Sequence, residues 1–170
     1  KRFEEKFSEY TGLDGCITTC NGSTALELAI SLCDLNKNDE IIAPDLTFAS
    51  PVNSAIRSNC KVSLVDVNKS NMCLDMNSLL NTITHKTKVI IIVNLYGFPF
   101  DVKKLRKLIS PDILIVEDCA ESLGSFRDGK HCGFYSDFAT FSFFGNKTIT
   151  TGEGGMLFCA NKDKKEEAKI

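Results

Sequence analysis

Val89-Ile90-Ile91-Ile92-Val93 decides the fold. Five consecutive β-branched residues leave no polar face. The run, extended over residues 88–96, reads as a strand buried on both sides, the mark of a parallel sheet covered by helices. Working outward, strands are expected at 15–20, 40–44, 61–67, 113–117, 138–143 and 155–159. Helices are expected at 24–35, 48–58, 77–83 and 102–109, with a charged helix from 162. In the first of these, Leu28, Ala29, Leu32 and Cys33 share one helical face. Pro51 suits the first turn of the second, and Asp128-Gly129 marks a tight turn. This β-α-β rhythm predicts an α/β fold, a mainly parallel sheet flanked by helices. The last strands lack long helices between them, which predicts a local antiparallel pair or an edge insertion.

The 170 residues, 43% hydrophobic with net charge -2, suit one globular domain. The near-neutral balance gives no electrostatic footprint for nucleic acid or an anionic membrane. The Lys/Glu-rich ends, 1–6 and 162–169, read as solvated helix surface. No apolar run approaches the ~20 residues that span a bilayer. No signal peptide is visible, and the chain starts mid-pattern at Lys1. Eight cysteines form no Cys-x-x-Cys pair, and His85 and His131 complete no metal-ligand spacing. Reduced, buried thiols of a cytoplasmic protein are expected, with no metal site.

Ligands of parallel sheets bind beyond the carboxyl ends of the strands. That rule selects 21–24, 45–48, 118–121 and 146–147, four segments expected on one rim. Lys147 stands out among them: it follows the apolar strand 138–143 within Phe141-Ser142-Phe143-Phe144-Gly145-Asn146-Lys147. An unpaired buried ammonium is costly, and a depressed pKa or a Schiff base resolves it. Gly22-Ser23-Thr24 reads either as an anion seat at a helix N-terminus or as an ordinary N-cap. Ser142 is a second hydroxyl for that anion, or simply a strand serine. Asp118 ends a strand as a cap or ion-pair partner, or holds a pyridine nitrogen protonated beside a Schiff-base lysine. Glu121 is placed to hydrogen-bond a phenolic oxygen, and Phe48 either stacks on a flat ring or fills the core. Nucleotide-binding loops fail on spacing. Asn146 separates Gly145 from Lys147, and Gly152-Glu153-Gly154-Gly155 precedes a strand instead of following one.

Five segments taken together carry a resemblance: Asn-Gly-Ser-Thr-Ala-Leu (21–26), Asp-Leu-Thr-Phe-Ala-Ser (45–50), Asn-Leu-Tyr-Gly-Phe-Pro (94–99), Glu-Asp-Cys-Ala-Glu-Ser-Leu-Gly (117–124) and Phe-Ser-Phe-Phe-Gly-Asn-Lys-Thr-Ile-Thr-Thr-Gly-Glu-Gly-Gly (141–155). In order and spacing they resemble the DegT/DnrJ/EryC1/StrS family of pyridoxal 5'-phosphate (PLP)-dependent sugar aminotransferases, across nearly the whole chain. The resemblance implies a fold-type-I, aspartate aminotransferase-like large domain over 1–170. The N-terminal arm and C-terminal small domain of the family, whose members are about twice this long, are then absent, through either an expressed fragment or a truncated gene.

It also implies roles: Lys147 as the Schiff-base lysine, Asp118 on the pyridine nitrogen, Glu121 near the phenolic oxygen and Phe48 on the ring. Gly22, Ser23 and Ser142 would then contact the phosphate. The implied substrates are glutamate and a nucleotide-linked keto sugar, and the implied assembly is a homodimer. The segment 145–156, with Glu121, is most similar to the GDP-perosamine synthase branch, which aminates GDP-4-keto-6-deoxymannose at C4. Asn94 departs from the histidine many relatives carry there. Two other readings stand beside this one: a related dehydratase, in which histidine replaces the lysine, and a noncatalytic PLP-binding or assembly fragment.

Overall fold

The computed structural model describes residues 1–169. Strands and helices alternate as expected. In chain order they are α1 (Arg2–Thr11), β1 (Cys16–Thr19), α2 (Gly22–Ser31), β2 (Glu40–Pro44), α3 (Ala49–Arg57), β3 (Lys61–Val65), α4 (Met76–Thr82) and β4 (Thr87–Val93). A 3-10 turn (Leu95–Gly97) leads to α5 (Val102–Arg106), β5 (Leu114–Asp118), the short β6 (Phe126–Arg127) and β7 (Lys130–His131), β8 (Phe138–Ser142), β9 (Gly155–Cys159) and α6 (Lys162–Glu167).

Seven strands form one sheet in the order β1-β9-β8-β5-β4-β2-β3. From β3 to β8 every neighbouring pair is parallel. Only β9 is reversed, pairing antiparallel with both β8 and β1. The expected antiparallel pair is therefore β8–β9, and β1 again runs with the parallel set. β6 and β7 form a separate hairpin. Its turn, Asp128-Gly129, has positive φ at both residues (52° and 74°), the twist that two-residue hairpin loops require.

The run 89–93 feeds two cores at once, as a strand's alternation dictates. Val89, Ile91 and Val93 pack with Ala25, Leu26, Ala29 and Ile30 of α2 and with Ala55 of α3. Ile90 and Ile92 pack on the other face, against Leu79 of α4 and Val102 and Leu105 of α5. A third cluster joins Phe7 of α1 to Phe141 and Phe143 beside β9. The Phe7 and Phe141 rings meet edge-on at 4.9 Å, so α1 is docked by one face while its charged face is solvated.

Boundaries shift where side chains intervene. β4 stops at Val93, not at 96, because the Asn94 side chain turns inward. Its Oδ1 accepts the Phe100 N–H at 2.9 Å and its Nδ2 donates to Glu117 at 2.7 Å. Tyr96 then adopts a left-handed conformation, φ 54°. α2 begins at Gly22 and ends at Ser31, against the expected 24–35. β3 ends at Val65 and α5 at Arg106, both earlier than expected.

All eight cysteines are free thiols. Burial pushes Cys33 and Cys159 up to about 12, so neither is a ready nucleophile. Among the described residues, no helix is long and apolar enough to cross a membrane.

Candidate active site

The carboxyl ends of β1, β4, β5 and β8 open onto a cavity of about 370 Å³. All seven residues selected from the sequence (Gly22, Ser23, Phe48, Asp118, Glu121, Ser142 and Lys147) line it. The four segments expected on one rim do meet there.

The β1–α2 turn is seated by two glycines. A Cβ on Gly22 would lie 2.9 Å from Ser142 Cβ, and one on Gly155 would lie 2.4 Å from the Asn21 carbonyl. Bare backbone at both points lets the N-terminus of α2 close down on the ends of β8 and β9. This explains Gly155, the first residue of β9, which local spacing showed only as part of a failed nucleotide loop. The N-cap is Asn21, not Ser23: Asn21 Oδ1 accepts the Thr24 N–H at 2.9 Å. Ser23 is thereby left to face the cavity, its hydroxyl 2.6 Å from that of Ser50.

Asp118, the last residue of β5, is 5% exposed. Its carboxylate accepts the Ala120 N–H at 2.9 Å. Burial outweighs that bond and the attraction of Lys147, and pushes the carboxyl up to about 6. It is a buried acid with spare acceptor capacity facing open space.

Lys147 sits in the turn after β8, where its N–H donates to the Phe144 carbonyl at 3.0 Å. The cost of a buried, unpaired ammonium is avoided here by partial exposure and a carboxylate neighbour. The Lys147 side chain is 19% exposed and its Nζ lies 3.7 Å from Glu121 Oε1. Glu121 Oε2 accepts the Tyr96 N–H at 3.0 Å, so the left-handed turn after β4 holds the carboxylate that faces the lysine. Phe48 is not core. At 73% exposure its ring is an uncovered apolar wall of the cavity.

Sequence reasoning missed several contributors. Ser50, Asn94 and Glu153 also line the cavity. Ser50 lay inside a quoted segment, yet nothing local reveals that it meets a residue 27 positions away. His131, which had no motif around it, accepts the Gly124 N–H at 2.9 Å through Nε2 while Nδ1 bonds the Cys132 carbonyl at 2.6 Å. It braces the segment that carries Glu121, and burial holds it below the usual histidine range.

A doubly covered, mostly parallel sheet with an acid and a lysine across one rim cavity defines the large-domain architecture of fold-type-I PLP-dependent enzymes. Solved structures share it. 3-Amino-5-hydroxybenzoic acid synthase superposes over 99% of this chain and 44% of its own, with TM-score 0.92 and 32% identity. A GDP-4-keto-6-deoxymannose-3-dehydratase with a trapped PLP-glutamate geminal diamine superposes over 99% and 45%, with TM-score 0.95 and 30% identity. The chain belongs to the DegT/DnrJ/EryC1/StrS aminotransferase family, whose model matches residues 1–170. Among curated relatives, GDP-perosamine synthase of Escherichia coli O157:H7 is 40% identical over 163 residues, covering 95% of this chain and 45% of that protein. The chain thus spans less than half the length of the relatives it matches.

Proposed function

We propose that residues 1–170 form the PLP-binding large domain of a sugar-nucleotide aminotransferase. It moves the amino group of glutamate to C4 of a nucleotide-linked 4-keto-6-deoxy sugar, as a GDP-perosamine synthase does. The observation that carries this is the meeting of Lys147 and Asp118 in one cavity, with an anion seat at α2 and an uncovered aromatic wall.

The residues fit PLP on three counts. Gly22, Ser23 and Ser142 offer bare backbone and hydroxyls at a helix N-terminus, which suits a phosphate. Asp118 is a buried acid whose raised pKa an added cationic N–H would reverse. Phe48 presents a free ring face for stacking. When bound, PLP supplies an electron sink that lets a proton leave the carbon bearing the transferred nitrogen.

This chain's own residues do the rest. Asp118 holds the ring nitrogen protonated. Glu121 would accept a hydrogen bond from the phenolic O–H, and its carboxylate keeps Lys147 in the cavity. Lys147 Nζ would anchor the resting cofactor and, once the amino donor has displaced it, the freed amine would move the proton at the substrate carbon, as base and then as acid. Exposed apolar side chains near the rim (Phe48, Tyr96, Phe98, Phe144 and Ile149) support a homodimer as the working form. Eight unpaired thiols support a cytoplasmic location.

The substrate assignment is supported by the GDP-perosamine synthase relative, and Lys147 itself speaks against the dehydratase reading. The test supplies PLP, glutamate and GDP-4-keto-6-deoxymannose, then measures 2-oxoglutarate and the sugar product. Stoichiometric 2-oxoglutarate and a 4-amino sugar are expected. Loss of the C3 hydroxyl without amination would replace this reading with a dehydratase, and PLP bound without turnover would favour the binding fragment.

A further inference from the structure

Resting on that PLP reading, we infer that Ser50 is a positioning residue of the anion seat and sets its selectivity for a phosphate monoester. Two helices start at this wall of the cavity: α2, with Gly22 and Ser23, and α3, with Phe48 at its N-cap and Ser50 in its first turn. They differ in one respect. α2 is capped by the Asn21 side chain, whereas α3 has no side-chain cap. The first N–H groups of α3 therefore lack a side-chain acceptor where Ser50 borders the cavity, and Pro51 contributes no N–H to that turn.

The hydroxyls of Ser23 and Ser50 link the two helix starts at 2.6 Å. Each hydroxyl carries one hydrogen. One is consumed in the link, and the other is free to donate into the cavity whichever way the pair is oriented. The link also fixes the rotamer of Ser23, which is freed from capping because Asn21 does that work. A phosphate thus meets a prearranged donor set and the positive ends of two helices. An unphosphorylated ring would gain nothing from either.

The test compares PLP with pyridoxal, which shares the aldehyde and the ring but lacks the phosphate. Both are titrated into the unmutated chain, Ser50→Ala and Ser50→Thr, by absorbance at equilibrium, with inorganic phosphate as competitor. Ser50→Ala is expected to lower PLP affinity about tenfold, the scale of one hydrogen bond to a charged group, and to leave pyridoxal affinity within about twofold. Inorganic phosphate should compete less well against PLP in that variant, and Ser50→Thr should retain most of the PLP preference. Equal losses for PLP and pyridoxal would make Ser50 merely structural and overturn the inference, as would an unchanged PLP/pyridoxal ratio in Ser50→Ala. If neither compound adds to Lys147 of the unmutated chain, the PLP reading falls and this inference falls with it.

Discussion

The two ends of the same sheet treat a buried carboxylate in opposite ways. At the amino end, Glu40 of β2 is enclosed by donors: Lys61 at 2.6 Å, Ser63 at 2.7 Å, Thr84 at 2.8 Å and Thr87 at 3.1 Å. Against the opposing pull of burial, those bonds hold the carboxyl down at about 2. At the carboxyl end, Asp118 of β5 has the Ala120 N–H, and burial carries it up to about 6. Glu40 ties β2, β3 and the start of β4 together and has no capacity left for a ligand. Asp118 accepts one backbone hydrogen bond and faces a cavity. A buried acid with every acceptor site engaged serves the scaffold, whereas one with acceptor capacity open to a cavity is placed to take a ligand.

Asp118→Asn breaks the comparison most severely. PLP affinity, measured by absorbance titration, should fall on the order of hundredfold, the scale of a broken buried ionic contact. Glu40→Gln should leave it within about twofold. The reverse holds for folding. Glu40→Gln should cost about 2 kcal/mol in urea denaturation, because a neutral amide leaves Lys61 unpaired and sets a donor against donors. Without ligand at pH 7, Asp118→Asn should gain roughly 2 kcal/mol by removing a carboxylate that burial disfavours.

The smallest effects are in the pH profile. Glu40's folded pKa lies below its unfolded value, so its contribution is complete above about 4.5 and is lost as pH falls toward about 2. The unmutated chain should lose more stability than Glu40→Gln across that acid range. Asp118's folded pKa is raised, so it favours folding below about 3.8 and ceases to as pH rises through about 6. Asp118→Asn should flatten that second slope in denaturation curves taken from pH 3 to pH 7.

Much of this architecture is legible in the sequence. Five β-branched residues at 89–93 imply a doubly covered strand, and the strand-end rule alone gathers Gly22, Asp118 and Lys147 on one rim. What stays hidden depends on tertiary approach. Asn21, Ser23 and Thr24 are all competent caps, and packing of Gly22 against Ser142 and of Gly155 under Asn21 determines how α2 begins. Ser50 is silent because its partner belongs to another helix. Asn94 reads as a strand residue until its amide is seen to bridge Glu117 and Phe100. The pairing of Lys147 with Glu121 is likewise a contact between loops that local patterns cannot show.

The central claim is that the amine of Lys147 and the acid of Asp118 face one PLP ring between them. Borohydride reduction of the chain equilibrated with PLP, followed by peptide mapping, tests it most directly. The expected result is a single pyridoxyl adduct at Lys147 that disappears in Lys147→Ala. An adduct on a different lysine, or one that persists in Lys147→Ala, would contradict it.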